Sequence, residues 1–261
     1  MTLHGQTTPS AFLSVAAAVA DERVLNTCLG ASPEIASRQF TFNAFRGYDS
    51  AATALNAAID SSASEWVALA HQDVYFPSDS LSRLEGLLAT QPDNVAVVGL
   101  IGRSVEGQTV GQAWSTGMSE LVGHEISTAE EVATLDEIVI VVRRSSGLRF
   151  DVDLPGFHLY ATDIALTARE RGLRAVVVPV TVIHHSRPVI SLGPDYAAGY
   201  KFMKRKWSSS LPVLTMMGDI RRIPFHVVYL DLRVRKAAGF ARVRRDADGD
   251  PAEIARRLGL N

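Results

Sequence analysis

The chain has 261 residues, a formal charge of −2 and a single cysteine. Apolar residues make up 47% and charged residues 21%, which is typical of a globular protein and excludes a wholly disordered, collagen-like or low-complexity chain. Cys28 has no partner within the chain, so an internal disulfide framework and a zinc–thiolate cluster are excluded and a reducing compartment is expected. No cationic segment precedes the first apolar run, which is too short to span a bilayer, so we expect a cytoplasmic protein.

Short apolar runs of strand length alternate with helix-like segments along the chain. This alternation predicts an α/β fold with a mostly parallel sheet flanked by helices. The predicted strands are 12–19, 38–45, 66–70, 95–101, 138–142 and 175–183. The predicted helices are 50–59, 78–88, 162–172 and 250–258. The glycine-rich stretch from Arg103 to Thr134 is predicted to be a long connection that contributes a lid or acceptor contacts.

Positive charge is concentrated towards the C terminus. Between Lys201 and Arg245 there are twelve Lys or Arg residues and two aspartates. Such a region can contact a phosphate-bearing substrate, an anionic membrane or a partner protein, or form a solvated face that balances an acidic body. No nucleic-acid motif accompanies it, so nucleic acid is not an expected partner. We predict one domain over 1–190 and a basic helical extension over 191–261, packed on the same domain.

Two polar side chains follow an apolar strand in the segment Trp66-Val-Ala-Leu-Ala-His71-Gln-Asp73-Val-Tyr-Phe-Pro77. Open α/β sheets bind ligands at the carboxyl ends of their strands. Alternate residues of an extended chain point the same way, so His71 and Asp73 can address one ligand. Asp73 can equally cap the helix that follows.

A second polar cluster, His184 and His185, ends a later apolar strand. Adjacent residues of an extended segment face opposite sides, so at most one of these histidines is expected to join a site. Asp73 with His184 offers one oxygen and one nitrogen ligand, a set that suits Mn²⁺ at least as well as Mg²⁺. A metal-dependent hydrolase would need His71, Asp73, His184 and His185 to bind one ion. The opposite facing of His184 and His185 disfavours this arrangement.

A third cluster lies around the helix predicted at 162–172. Asp163 falls in its first turn, where the helix dipole favours an ionised carboxylate. Asp163 can therefore serve as a catalytic base or simply cap the helix.

Taken in this order, the three clusters resemble glycosyltransferase family 2, in particular the small domains of the streptomycin-biosynthesis StrF type, whose fold is GT-A. The resemblance runs from about Phe12 to Ser186. The stretch His71-Gln-Asp73-Val-Tyr-Phe-Pro77 resembles the family's Asp-x-Asp motif with its following hydrophobic-Pro pair.

Two further segments carry the resemblance. Phe150-Asp151 and Phe157-His158-Leu-Tyr160 through Asp163 resemble the family's "FDe…fhfYDvDlslrarraG" signature. The strand that ends in His184 is similar to the one that carries the family's late metal-ligand histidine.

The resemblance implies metal ligands position by position. Asp73 matches the second Asp of the Asp-x-Asp motif and is implied to hold the Mn²⁺ or Mg²⁺ ion that bridges the diphosphate of a nucleotide-sugar donor. His71 occupies the first Asp position, which faces the ribose or the metal, and a histidine there departs from the usual pattern. His184 matches the third protein contact with the metal, with His185 as a fallback.

The chain departs from the family at the catalytic base. The first Asp of the family's Glu/Tyr-Asp-x-Asp stretch removes the acceptor proton, and its position here is Ala161, so only the second acid survives, as Asp163. Two residues along a helix correspond to about 200° of rotation, so Asp163 needs a different geometry to act as base. His158, Asp136 and Glu137 are the other candidates, unless the reaction needs no protein base or activity is lost.

The resemblance thus implies a metal-assisted glycosyltransferase that moves a sugar from a nucleotide diphosphate donor to a hydroxyl of a glycan, small-molecule or protein acceptor. Asp21, Asn43 and Asn56 match positions near the nucleotide. The alternative is a non-catalytic GT-A-like module that binds a nucleotide or a glycan, and Ala161 at the base position is the feature that separates the two.

Overall fold

A computed structural model describes residues 10–187, 189–223, 225–239 and 249–260. The strands are β1 (Leu13–Val19), β2 (Thr41–Arg46), β3 (Trp66–Ala70), β4 (Val74–Tyr75), β5 (Val95–Gly99), β6 (Ile101–Arg103), β7 (Thr109–Ser115), β8 (Glu120–His124), β9 (Glu130–Glu131), β10 (Thr134–Leu135), β11 (Val139–Arg143), β12 (Arg174–Val177) and β13 (Ile183–His184). The α-helices are α1 (Glu22–Thr27), α2 (Pro33–Ala36), α3 (Ala51–Ser61), α4 (Ser80–Ala89), α5 (Tyr160–Glu170), α6 (Gly193–Lys206), α7 (His226–Gly239) and α8 (Pro251–Arg257).

The main sheet has the strand order β2-β1-β3-β11-β5-β12-β9. Strands β2, β1, β3, β5 and β12 run in one direction, while β11 and β9 run against them. Every residue of β3, β5 and β11 is buried, because helices or other chain segments cover both faces of the sheet. The predicted fold class, α/β with a mostly parallel sheet flanked by helices, is confirmed.

A second sheet has the order β10-β6-β7-β13-β4, with β8 paired to β7. Strands β7 and β8 of this sheet lie within the stretch from Arg103 to Thr134, so the prediction of one long connection there was wrong. Two of the glycines that suggested a loop, Gly111 and Gly123, lie in strands instead. Gly111 in β7 has a φ of +76°, and a Cβ there would lie 2.2 Å from the carbonyl oxygen of Leu100, so only glycine permits this close strand approach.

Two of the predicted strands are each divided between the two sheets. The run 95–101 splits at Leu100 into β5 and β6, and the run 175–183 splits into β12 and β13 around Pro179. Nearly the whole of each run is buried, so hydrophobicity does not mark the point where the backbone leaves one sheet for the other. Pro179 lacks the N–H that a continued strand would need.

The predicted helices are present with small shifts of their ends. Helix α5 begins at Tyr160, two residues before the predicted start. Ser50 caps α3 by accepting a hydrogen bond from the Thr53 N–H at 3.3 Å, and Asp250 caps α8 by accepting one from the Ala252 N–H at 3.0 Å. Each of these two caps satisfies an N–H group of the first turn that has no partner within its own helix.

The C-terminal helices α6 and α7 pack on the same core as the main sheet. Tyr196, Tyr200 and Met203 of α6 and Leu230 of α7 are buried in one hydrophobic cluster with Ile140 of β11. The division into a domain over 1–190 and a basic helical extension over 191–261 packed on the same domain stays a prediction. The part of the predicted basic region over 240–245 lies outside the described residues, and within the described residues no helix has the length and apolar character needed to cross a bilayer.

The N terminus of α4 is capped by a side chain from another element. Asp79, the residue before α4, has a φ of +61° and makes no side-chain cap. The buried carboxylate of Glu34 in α2 instead accepts the N–H groups of Leu81 at 2.8 Å and Ser82 at 3.0 Å. Glu34 therefore satisfies two N–H groups at the positive end of the helix dipole.

We predict that Glu34→Ala lowers the free energy of unfolding by about 1–3 kcal/mol, because two N–H groups at the start of α4 lose their acceptor. Urea denaturation followed by circular dichroism measures the change. Glu106→Ala, which truncates an exposed glutamate in a loop, is the control and should change stability by less than about 0.5 kcal/mol. Equal stability of the two variants would contradict this role of Glu34.

Candidate metal and donor site

The polar cluster after β3 lies in a tight turn between β3 and β4. The His71 N–H donates to the carbonyl of Ile138 at 3.0 Å, and the Val74 N–H donates back to the carbonyl of His71 at 3.1 Å. The chain is thus a turn here and not the extended segment expected from the sequence. The two side chains nevertheless face each other, with His71 Nδ1 3.8 Å from Asp73 Oδ1.

The pairing of β13 with β4 brings the second cluster to the first. The two strands are antiparallel, with His184 opposite Val74. His184 Nε2 lies 3.5 Å from Asp73 Oδ2, and the rings of His184 and His71 are 5.7 Å apart. One ligand atom from each of His71, Asp73 and His184 lies within 4.8 Å of the others. We call these three residues the His–Asp–His cluster.

The electrostatics of the His–Asp–His cluster favour an ionised carboxylate. Burial alone would raise the pKa of Asp73, but His184, through its charge and hydrogen bond, and His71 lower it well below its usual range. Burial lowers the pKa of His184, but the adjacent Asp73 raises it by more. The pKa of His184 is therefore raised overall. An anion is therefore held beside two nitrogen donors.

One carboxylate oxygen of the cluster lacks a hydrogen-bond partner among the described residues. Asp73 Oδ1 is buried and has no hydrogen-bond partner among the described residues. A buried carboxylate oxygen without a partner is costly unless a cation or water completes it. One carboxylate and two imidazoles are a mixed oxygen and nitrogen donor set, which fits Mn²⁺. The residues present therefore fit a divalent metal.

Tyr160, at the start of α5, holds His71 from the opposite side. Its hydroxyl lies 2.9 Å from His71 Nε2 and donates to the carbonyl of Glu137 at 3.4 Å. A hydroxyl that donates to this carbonyl accepts from His71 Nε2–H, which leaves the Nδ1 lone pair facing Asp73. Burial raises the pKa of Tyr160 well above its usual value, so the phenol keeps its proton. From the sequence, Tyr160 was recognised as part of a motif, but no role was predicted for it.

His185 is not brought to the cluster. Its backbone N–H donates to the carbonyl of Asp73 at 2.8 Å, while its ring Nε2 lies 2.8 Å from the carbonyl oxygen of Gly249, next to the start of α8. The neighbouring side chains of His184 and His185 thus diverge, because successive residues of a strand face opposite sides. His185 therefore helps to anchor α8 and does not join the other three residues as a metal ligand. The four-residue hydrolase site does not form.

Of the residues matched to the nucleotide, Asp21 lies nearest the cluster in the hydrogen-bond network. It follows β1 and caps α1, and its N–H donates at 3.0 Å to the side-chain oxygen of Gln72, between His71 and Asp73. Asn56 is occupied elsewhere, since its amide makes two 2.9 Å hydrogen bonds with the backbone of Phe150. Asn43 is exposed on β2, at the edge of the main sheet.

Three of the candidate bases, Asp136, Glu137 and His158, are close to one another in sequence or in space. His158 Nδ1 is 3.7 Å from Glu137 Oε2, and the nearby carboxylate of Glu137 raises the pKa of His158. The other Glu137 oxygen accepts the N–H of Leu159. Asp136 accepts the Ile138 N–H at 3.0 Å, and its charge contributes to the raised pKa of His184.

The carboxylate of Asp163 is hydrogen-bonded to two other side chains. Its carboxylate accepts hydrogen bonds from Lys206 Nζ at 2.8 Å and from Trp207 Nε1 at 2.8 Å, and Lys206 also binds Asp151 at 2.7 Å. The side chain is 2% exposed, and its burial raises its pKa although Lys206 and Trp207 lower it. These contacts tie α5 to the end of α6, and they leave the carboxylate no free face for an acceptor.

No protein-family model matches the chain, and no curated protein sequence matches it. Among solved structures it is similar to the mannosyltransferase PcManGT from Pyrobaculum calidifontis in complex with GDP-Man and Mn²⁺, at 12% identity and a TM-score of 0.48 over 98% of this chain and 81% of that one. It is similar to S. aureus TarS 1-349 in complex with UDP, at 16% identity and a TM-score of 0.45 over 95% and 92% of the chains. It is also similar to GalNAc-T7 with UDP, GalNAc and Mn²⁺, at 11% and 0.45, over 96% and 58%.

Identities of 11–16% and TM-scores below 0.5 do not transfer an activity, a donor or an acceptor to this chain. The assignment to the StrF type stays a prediction.

We predict that Asp163→Ala lowers the free energy of unfolding by about 1–3 kcal/mol, because the Trp207 N–H and the Lys206 ammonium lose an acceptor. The loss is smaller than for a fully buried ion pair because Lys206 is partly exposed and retains Asp151. Thermal and urea unfolding measure the change. Asp153→Ala, at an exposed position in the same region, is the matched control. Unchanged stability of Asp163→Ala would restore Asp163 as a candidate base.

Proposed function

We propose that the chain is a metal-dependent glycosyltransferase of GT-A type that moves a sugar from a nucleotide diphosphate donor to an acceptor hydroxyl. The observation that carries the proposal is the His–Asp–His cluster at the tips of β3 and β13, with a buried Asp73 oxygen that lacks a partner among the described residues. A site at the carboxyl ends of strands in an open α/β sheet is where such folds bind ligands.

The donor set supports a divalent cation, with Mn²⁺ favoured over Mg²⁺ because two of the three ligands are imidazoles. Such an ion, when bound, stabilises the negative charge that grows on the departing diphosphate. Asp73 and His184 would hold it from the two strand tips, and His71 would complete the set. Tyr160 would keep His71 in the tautomer that presents Nδ1.

The nucleoside would lie near the end of β1. Gln72 joins this strand end to the metal cluster, since its side-chain oxygen accepts the N–H groups of Ala20 at 2.9 Å and Asp21 at 3.0 Å. These contacts join the backbone at Asp21 to the turn that carries Asp73. Asn56 is unsuited to a donor contact because both ends of its amide are already satisfied.

For the base we favour His158 paired with Glu137. The pair has the form of a general base oriented by a carboxylate, and the imidazole is 45% exposed, so that an acceptor can reach it. Asp136 is the second choice, since its charge acts on His184 and Tyr160. The acceptor itself, whether a glycan, a small molecule or a protein, is left open.

We predict that the purified chain binds Mn²⁺ and that Asp73→Asn reduces this affinity by more than about a hundredfold, beyond the loss typical of an outer-shell partner. Isothermal titration calorimetry with Mn²⁺ alone measures it. A second titration, with UDP or GDP, should show binding that requires Mn²⁺ in the parent chain and is absent in the variant.

Asp153→Asn is the control for that experiment, because it removes an exposed carboxylate from a position with no part in the cluster. Circular dichroism should show that both variants are folded. Mn²⁺ binding of equal strength in Asp73→Asn and the parent chain would refute the metal site.

A non-catalytic donor-binding module is the second candidate, and one observation favours it. The position of the family's base is the fully buried Ala161, and the surviving acid, Asp163, is bound to Lys206 and Trp207. Incubation of the chain with Mn²⁺ and a panel of UDP- and GDP-sugars, followed by measurement of released nucleoside diphosphate with and without sugar acceptors, separates the two. Donor binding without hydrolysis or transfer would favour the module.

We predict that Tyr160→Phe weakens Mn²⁺ binding about tenfold, because the phenol that orients His71 is lost while the ring is kept. Calorimetry with Mn²⁺ measures this effect. Tyr75→Phe is the matched control, since it removes a tyrosine hydroxyl that makes no side-chain hydrogen bond to the cluster. An affinity equal to that of the parent chain would show that Tyr160 does not position His71.

A further inference from the structure

The outer face of α7 carries an unusual group of exposed apolar side chains. Fourteen large apolar side chains are exposed among the described residues. Seven of them lie just before α6 (Val189 and Ile190), just before α7 (Ile223 and Phe225) or in α7 (Val228, Tyr229 and Leu232). Phe225 is 82% exposed and Leu232 is 59% exposed. Val228, Tyr229 and Leu232 are neighbours along α7, and contiguous apolar surface marks a binding surface more often than scattered apolar residues do.

Helical geometry places the apolar side chains of α7 on one face. At 100° per residue, Val228, Tyr229, Leu232 and Lys236 lie within an arc of about 100°. Arg233 and Arg235 lie on either side of that arc. The opposite face is occupied by the core, because Leu230 is buried and Val227 and Val234 pack against the main hydrophobic cluster. The exposed face is therefore not needed to hold α7 on the protein.

The charge around this face is net positive. Between Arg221 and Lys236 the sequence has five cations and one acid, Asp231. Asp231 is already paired with Arg235 at 2.6 Å, and Arg221 is paired with Asp219 at 2.8 Å. Arg233 lies over the ring of Tyr229, 5.8 Å from its centre, so its charge stays beside the apolar stripe.

We propose that this face, made of Phe225, Val228, Tyr229, Leu232 and the cations Arg233 and Lys236, docks the protein on an anionic lipid bilayer. An apolar stripe between cationic side chains is the pattern of a helix that lies in the membrane interface. The aliphatic parts of Arg and Lys pack on apolar surface while their charges reach lipid phosphates. The positive charge selects an anionic bilayer over a neutral one.

The docking surface is linked to the candidate site by a series of ring contacts. His158 contacts Tyr196, Tyr196 contacts Tyr200, Tyr200 contacts His226, and His226 contacts Tyr229, with centres 5.7, 6.5, 6.3 and 5.8 Å apart. This series of rings connects Tyr229 on α7 to His158, the proposed base. The docking proposal stands on the surface alone and does not depend on the proposed sugar transfer.

Co-sedimentation of the full chain with vesicles tests the proposal. The vesicles are pure phosphatidylcholine or phosphatidylcholine with roughly one-third phosphatidylglycerol. The parent chain should sediment with the anionic vesicles and not with the neutral ones, and added salt should release it. Val228→Ser with Leu232→Ser should lower the partition at least about tenfold. Arg233→Glu with Lys236→Glu should lower it about fivefold for each cation removed.

Leu121→Ser with Val152→Ser is the matched control, because both side chains are exposed and lie far along the chain from α7. Circular dichroism checks that all variants fold. Sedimentation with neutral vesicles to the same extent, or unchanged binding of the α7 variants, overturns the proposal. So does a parent chain that binds no vesicle but forms a dimer in analytical ultracentrifugation that Val228→Ser with Leu232→Ser breaks, since a second copy would then cover the face.

Discussion

The candidate site depends on one short strand pairing. Strand β13 has two residues and pairs with the two-residue β4, with His184 opposite Val74. Asp73 directly precedes β4, so this register places His184 beside it, and the Asp73 carbonyl also accepts the N–H of His185. A slip of one residue would exchange the faces of His184 and His185 and remove the nitrogen ligand from the cluster.

The buried carboxylate of Asp163 and the partly buried carboxylate of Asp73 illustrate how the surroundings decide the role of an acid. Asp163 has its two oxygens hydrogen-bonded by Lys206 and Trp207, and burial still raises its pKa. Asp73 lies between two imidazoles that lower its pKa, yet one of its oxygens has no partner in the described structure. The first arrangement ties two helices together. The second leaves an anion ready for a cation.

The two proposals address different parts of the protein but are compatible in space. The metal cluster lies at the strand tips, and the exposed face of α7 lies beyond a series of aromatic rings that starts at His158. A bilayer at α7 would favour acceptors held at a membrane surface. A glycan or protein acceptor in solution would not require that face, so the two proposals can be decided separately.

The sequence by itself determined the fold class, the strands of the main sheet other than β9, the helices α3, α4, α5 and α8, and the candidate ligands Asp73 and His184. Apolar periodicity and polar residues at strand ends are local features, so they can be read from the sequence. It did not reveal that 103–134 forms part of a second sheet, since glycine in a strand and glycine in a loop look alike until the partner strand is known. Only the tertiary structure decided that Tyr160 holds His71, that His185 turns to α8 and that Asp163 binds Lys206 and Trp207. Each of these contacts joins residues far apart in the chain, and their partners are set by packing and strand register.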